Sequence, residues 1–138
     1  MQIKRKSSAH WQGTGKEGKG TLTSQSGVLN NTQYGFNSRF ADGIGTNPEE
    51  LIGAAHAGCY SMKLAFNLNA AGFTADSIDT EAIVILEDGS ITEVQLSTRV
   101  KVEGLTKEKF EELAADAKAN CPVSKLFKAN ITLTTTLL

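Results

Sequence analysis

Apolar and polar residues change their rhythm several times along the chain, and each change marks an element. Met1–Trp11 alternates weakly, with Ile3, Ala9 and Trp11 on one side, and reads as a strand. GTGKEGKG (13–20) follows as a glycine-rich turn, and Thr21–Ser26 as a second strand. GVLNNTQYGFNSRF (27–40) is rich in turn residues, with an extended piece around Tyr34–Phe40, and ADGIGTNP (41–48) reads as loop. Three strands ahead of the first long helix predict an antiparallel N-terminal sheet.

The period then becomes helical. TNPEELIGAAHAGCYSMKLAFNLNAAGF (46–73) has Asn47 as N-cap, Pro48 at N1, Glu49 and Glu50 in the first turn and Gly72 as the C′ residue. Between Leu51 and Met62 it carries no charge and many small residues, the pattern of a buried helix that allows close backbone approach. Residues 76–104 read as a hairpin turning at Asp88-Gly89, with Val94, Leu96, Thr98, Val100 and Val102 alternating with polar residues. TKEKFEELAADAKAN (106–120) is an amphipathic helix with Thr106 as N-cap and Phe110, Leu113, Ala114 and Ala117 as its stripe. Pro122 cannot continue that helix, so CPVSKLFKAN (121–130) starts a new short one, and ITLTTTLL (131–138) closes as a strand. The order βββ-α-ββ-αα-β groups strands and helices, which predicts an α+β fold in a single domain, 1–138.

Composition narrows the function classes. A net charge of -1 gives no electrostatic reason to expect nucleic acid or an anionic membrane as partner. The longest charge-free apolar stretch, Leu51 to Met62, is 12 residues, too short to span a bilayer. MQIKRKSSAHW has no apolar leader core, so a cytoplasmic protein is expected.

Candidate chemistry is sparse. Gly13, Gly15 and Gly18 match a dinucleotide fingerprint, but a strand rather than a helix follows, so they read as a hairpin loop. His10, His56, Cys59 and Cys121 are the whole pool of soft metal ligands, at spacings unlike known sites, so no metal is expected. No nucleophile-elbow signature is present, and nothing local supports a cysteine protease built on Cys59 and His10. The two cysteines therefore remain inert core residues or a redox pair.

By its local environment alone Cys59 reads as an inert buried thiol, and three further observations favour reactivity. Cys121 stands directly before Pro122, an N-cap position where free N–H groups, with Lys125 nearby, would stabilise a thiolate. Both cysteines fall on buried helical segments that can approach one another. Arg39, one of three arginines, lies in the turn-rich segment before the long helix. A guanidinium there can contact a thiolate and a carboxylate at once, and Glu49 or Glu50 is placed to orient it, although both also suit a plain helix start. His56 either donates to a thiolate at Cys59 or is a packed helix histidine.

The stretches GVLNNTQYGFNSRF, GTNPEELIGAAHAGCYSMKL and ANCPVSKLFKANI strongly resemble the OsmC/Ohr family of peroxide reductases, and YGFNSRF is similar to its OsmC branch. The resemblance runs from HWQG to ITL. It implies antiparallel sheets wrapped around long central helices in an intertwined homodimer. It also implies Cys59 as the peroxidatic cysteine, Cys121 as the resolving one, Arg39 as activator and Glu49 as its holder. A Cys59 sulfenic acid would then condense with Cys121 to an intramolecular disulfide, reduced by an external dithiol that in this family is often a lipoyl protein, with no cofactor.

Glu49 and Cys59 are ten positions apart on one predicted helix, ~15 Å of rise, so their side chains cannot meet within one chain. Either Arg39 bridges that gap, or Arg39 and Glu49 arrive from the partner subunit. The second arrangement is expected, with each active site at the dimer interface. Ala54, Ala55, Ala57, Tyr60, Met62 and Phe66 are expected to form an apolar wall favouring organic hydroperoxides over hydrogen peroxide. The competing reading is a non-catalytic thiol redox sensor or binding module, which would oxidise once per chain without turnover.

Overall fold

The computed structural model describes residues 1–138. Its elements are β1 (Ser7–Gln12), β2 (Lys19–Ser24), β3 (Thr32–Tyr34), α1 (Phe36–Phe40), α2 (Pro48–Ala70), β4 (Ser77–Glu87), β5 (Ser90–Lys101), α3 (Lys107–Asn120), α4 (Pro122–Leu126) and β6 (Asn130–Leu137). They fall into two compact units, Met1–Leu51 and Ile52–Leu138. The arrangement is α+β, with two three-stranded sheets.

In Met1–Leu51 the strands pair antiparallel in the order β1-β2-β3. Residues 13–18 join β1 to β2 as a hairpin loop, and Trp11 Nε1 donates to the Thr14 carbonyl at 3.2 Å across its mouth. Gly20 pairs with Trp11 on one side and Tyr34 on the other. The two rings lean together over it, with centroids 5.4 Å apart and planes tilted by 59°. A Cβ at Gly20 would run into both rings, so the glycine is what lets them close.

Two expectations change here. β1 begins at Ser7 rather than Met1, and residues before it meet the sheet only where Lys6 and Gln25 exchange hydrogen bonds. The segment read as extended at Tyr34–Phe40 is helical from Phe36. Ser38 is the reason: its Oγ accepts from the Gly35 N–H at 2.9 Å and donates to the Gly35 carbonyl at 3.1 Å, closing one turn locally. No large hydrophobic side chain of this unit is buried; its buried residues are Gly20, Ser38, Thr46 and Glu49.

α2 starts as its sequence requires. Asn47 Oδ1 accepts from the Glu50 N–H at 2.8 Å, and Pro48 takes the position where a missing N–H costs nothing. It ends in a Schellman arrangement, with Phe73 N–H bonding the Leu68 carbonyl and Gly72 N–H the Asn69 carbonyl.

In Ile52–Leu138, α2 buries one stripe, His56, Tyr60, Leu64 and Leu68, in a core shared with Val94, Leu96 and Val100 of β5 and Phe110, Ala114 and Ala117 of α3. Each large member contributes about 1.5–3 kcal/mol by leaving water. The opposite stripe of α2 is not buried in the chain, contrary to the all-round burial expected. Ala54, Ala55 and Gly58 are exposed, as are Met62 (63%) and Phe66 (64%). The helix is apolar on two faces and only one finds a partner here.

The second sheet runs β4-β5-β6. β4 and β5 form the hairpin, and Asp88 and Gly89 both take the positive φ (50° and 79°) that a tight type I′ turn needs. β6 departs from the antiparallel expectation, since it pairs with β5 in parallel. α3 and α4 lie between them in sequence, and such a crossover returns the chain in the same direction, which a hairpin cannot do.

Gly20→Ala should destabilise the protein by about 1–3 kcal/mol, because the methyl group forces Trp11 and Tyr34 apart. Urea unfolding followed by tryptophan fluorescence measures this; an unchanged midpoint would mean the aromatic pair contributes nothing.

Candidate active site

The cysteine centre lies in Ile52–Leu138. Pro122 forces a break after α3, and Cys121 occupies it twice over. Its N–H closes α3 on the Ala117 carbonyl at 3.0 Å, and its Sγ accepts the Ser124 N–H at 3.3 Å as the N-cap of α4. Cys121 is fully buried. Cys59, in the fourth turn of α2, packs against the cluster that contains Cys121 and is partly exposed. Both are free thiols.

Burial pushes the Cys59 thiol above its ordinary range, and the neighbouring Cys121 thiol pushes the same way; the Val123 backbone N–H opposes them. Within this unit no cation acts on Cys59. A thiol held neutral is a poor nucleophile.

His56 sits one helical turn before Cys59 and is fully buried. Its Nε2 is 2.7 Å from Ser124 Oγ, and the Phe127 ring meets it edge-on at 5.1 Å. Ser124 Oγ is in turn 3.2 Å from Cys121 Sγ. His56 thus faces Ser124, and Ser124 is the site residue that reading the sequence missed. The available signal was its place three residues after a capping cysteine, where a backbone N–H and a hydroxyl both turn towards the cap. Tyr60 is also placed differently from its expected position in an apolar wall. It is fully buried, and its hydroxyl donates to the Ala114 carbonyl at 3.5 Å, so it belongs to the core.

The second constellation lies in Met1–Leu51. Arg39, at the end of α1, makes a two-pronged pair with Glu49 in the first turn of α2: Nε donates to Oε1 at 2.9 Å and a terminal nitrogen to Oε2 at 3.1 Å. Arg39 is raised further into its cationic range, first by that hydrogen bond. Its guanidinium also lies 5.2 Å from the Phe40 ring centre, while Glu49 is buried. Glu50 takes a different task, accepting from Thr46 Oγ1 at 2.6 Å. Of the two acids read as candidate partners, Glu49 is the one that holds the arginine. No group of three or more His, Cys, Asp or Glu side chains is placed to hold a metal ion.

Residues 41–136 match the family model described as "OsmC-like protein". The chain belongs to the OsmC-like protein family. An OsmC relative, the peroxiredoxin OsmC of Escherichia coli (strain K12), is 52% identical over 137 residues, covering 96% of each chain. The crystal structure of the organic hydroperoxide resistance protein OhrB of Bacillus subtilis superposes with a TM-score of 0.68 at 27% identity, over 99% of this chain and 98% of that one. An OsmC-like protein of unknown function from Vibrio cholerae shares the fold, with a TM-score of 0.76 at 16% identity over 97% of this chain and 99% of that one. The OsmC-like fold therefore carries both the cysteine centre and the arginine–glutamate pair described above.

Burial holds His56 below its ordinary value of 6.5, so it is neutral in the folded protein. As pH falls through about 6.5, the unfolded chain binds a proton that the folded chain refuses, and stability is lost. The urea midpoint should therefore drop between pH 7.5 and pH 5, and His56→Gln should flatten part of that drop. An identical pH slope in the variant would show that His56 does not carry it.

Proposed function

We propose that this protein reduces organic hydroperoxides, and hydrogen peroxide more slowly, to alcohols through a Cys59 sulfenic acid that Cys121 resolves to a disulfide. Its family makes it a cysteine-based peroxidase, an oxidoreductase, and relatives named peroxiredoxin and organic hydroperoxide resistance protein support that class. The finer reading is supported by two free cysteines, the partly exposed Cys59 packed against the cluster that holds the fully buried Cys121, whose thiol acts on it. The Cys59 thiolate attacks a peroxide oxygen, the O–O bond breaks, and the alkoxide leaves and takes a proton as alcohol. Cys121 then attacks the Cys59 sulfur, the S–O bond breaks, and water is released. An external dithiol, a lipoyl protein being the chemistry expected, returns both thiols in the cytoplasm, where dithiol reductants are kept reduced.

Arg39, held by Glu49, supplies the positive charge that Cys59 lacks within its own unit, and it does so from the partner subunit of a homodimer. Three features support this. Cys59 is held neutral where it stands. The Met1–Leu51 sheet has no buried hydrophobic side chain of its own. The exposed stripe of α2, from Ala54 and Ala55 through Gly58 to Met62 and Phe66, offers a second copy an apolar face to pack on. Packing there would also dry the surroundings of Cys59, which favours substrates that carry alkyl surface.

Arg39→Ala and Cys59→Ser chains should each lose activity against cumene hydroperoxide, Arg39→Ala by about 10² in kcat/KM. A heterodimer assembled from the two variants should regain one working site, because the intact Cys59 of one chain meets the intact Arg39 of the other. If the heterodimer stays as inactive as its parents, the cross-subunit site is wrong.

A further inference from the structure

The His56–Ser124 pair is unused by the mechanism just described, and its hydrogen atoms can be assigned. Buried and neutral, the imidazole carries one N–H. Nδ1 is buried with no hydrogen-bond partner, whereas Nε2 is 2.7 Å from Ser124 Oγ. An orphaned buried N–H costs more than a bare lone pair, so the hydrogen sits on Nε2 and donates to Ser124 Oγ. The Ser124 hydroxyl, its oxygen now accepting, is left to donate to Cys121 Sγ at 3.2 Å. The Ser124 backbone N–H points at the same sulfur from 3.3 Å. One residue therefore delivers two donors to the Cys121 sulfur, and His56 fixes which way the chain of donors runs.

We propose that Ser124 is a further catalytic residue of the thiol–disulfide half of the reaction, donating to the Cys121 sulfur while that sulfur carries negative charge, with His56 as its positioning residue. This rests on the peroxidase reading above. The sulfur carries charge twice. In resolution, Cys121 gives up its proton and attacks the Cys59 sulfur; the S–S bond forms, the S–O bond breaks, and the departing hydroxide takes up a proton as water. In reduction, a thiolate of the external dithiol attacks Cys59, the more exposed sulfur; the S–S bond breaks and Cys121 leaves with the electron pair. The second thiol of the reductant then displaces Cys59 and closes the reductant's own disulfide. Two donors aimed at Cys121 stabilise the charged sulfur in both directions and leave the earlier attack on peroxide untouched.

The test separates the half-reactions. Reduced protein is mixed with one equivalent of cumene hydroperoxide, and quenched samples are read by mass spectrometry for dimedone-trapped Cys59 sulfenic acid and for the Cys59–Cys121 disulfide. Ser124→Ala keeps the backbone N–H and loses the hydroxyl; His56→Leu loses the orienting donor. Both should form sulfenic acid at the wild-type rate and close the disulfide roughly tenfold to a hundredfold more slowly. Under excess peroxide both should accumulate Cys59 sulfinic acid. Ser124→Thr and His56→Gln, which restore the donors, should recover most of the closure rate, a rescue that a packing role would not give. Closure in Ser124→Ala within twofold of wild type, with Cys59 oxidation intact, would overturn the assignment. Wild-type protein that never forms the disulfide would instead overturn the peroxidase reading, and this one with it.

Discussion

Pro122 breaks the chain between two helices, and the cysteine centre is organised around that break. A helix cannot run through a proline, so the residue before it must end α3 and begin α4. Here that residue is a cysteine, and the sulfur does the work usually left to a serine or aspartate oxygen. Capping fixes the sulfur against the first turn of α4 and buries it, while Cys59 approaches from α2. The cap holds the Cys121 sulfur in place at no cost in extra residues.

Burial beside Cys121 also keeps the Cys59 thiol neutral. Apolar surroundings favour the neutral thiol at Cys59, and a second thiol nearby does nothing to reverse that. A single backbone N–H opposes them and does not prevail. The cation that does suit a thiolate is held elsewhere in the sequence by a buried carboxylate, through two hydrogen bonds that fix its plane. The cysteine centre and the arginine–glutamate pair thus fall in different compact units of the chain, and each is organised by bonds within its own unit.

The N-terminal unit follows the same logic from the packing side. Its three strands bring Trp11, Leu22 and Tyr34 into one sheet, yet none is fully buried. A three-stranded sheet with no helix against its own face is marginal alone, because it buries too little apolar area to offset the entropy of ordering the chain. The apolar stripe left bare on α2 is the complementary deficit in the other unit. Both units thus carry apolar surface that their own residues do not cover.

Local rules settled much of this protein. Asn47-Pro48 starts α2, Asp88-Gly89 turns the hairpin, Thr106 caps α3 and Pro122 divides the last helices, because each acts through bonds to neighbours within a few residues. Resemblance to the family put the expected chemistry on Cys59, Cys121, Arg39 and Glu49, and of these the pairing of Arg39 with Glu49 is seen in the folded chain. What depended on distant residues was not legible. The parallel pairing of β6, the core position of Tyr60 and the meeting of His56 with Ser124, 68 positions away, were decided only by the folded chain. Period and capping report what a segment prefers by itself. Which side chain ends beside which sulfur depends on how helices and strands pack, and no window of neighbouring residues contains that information.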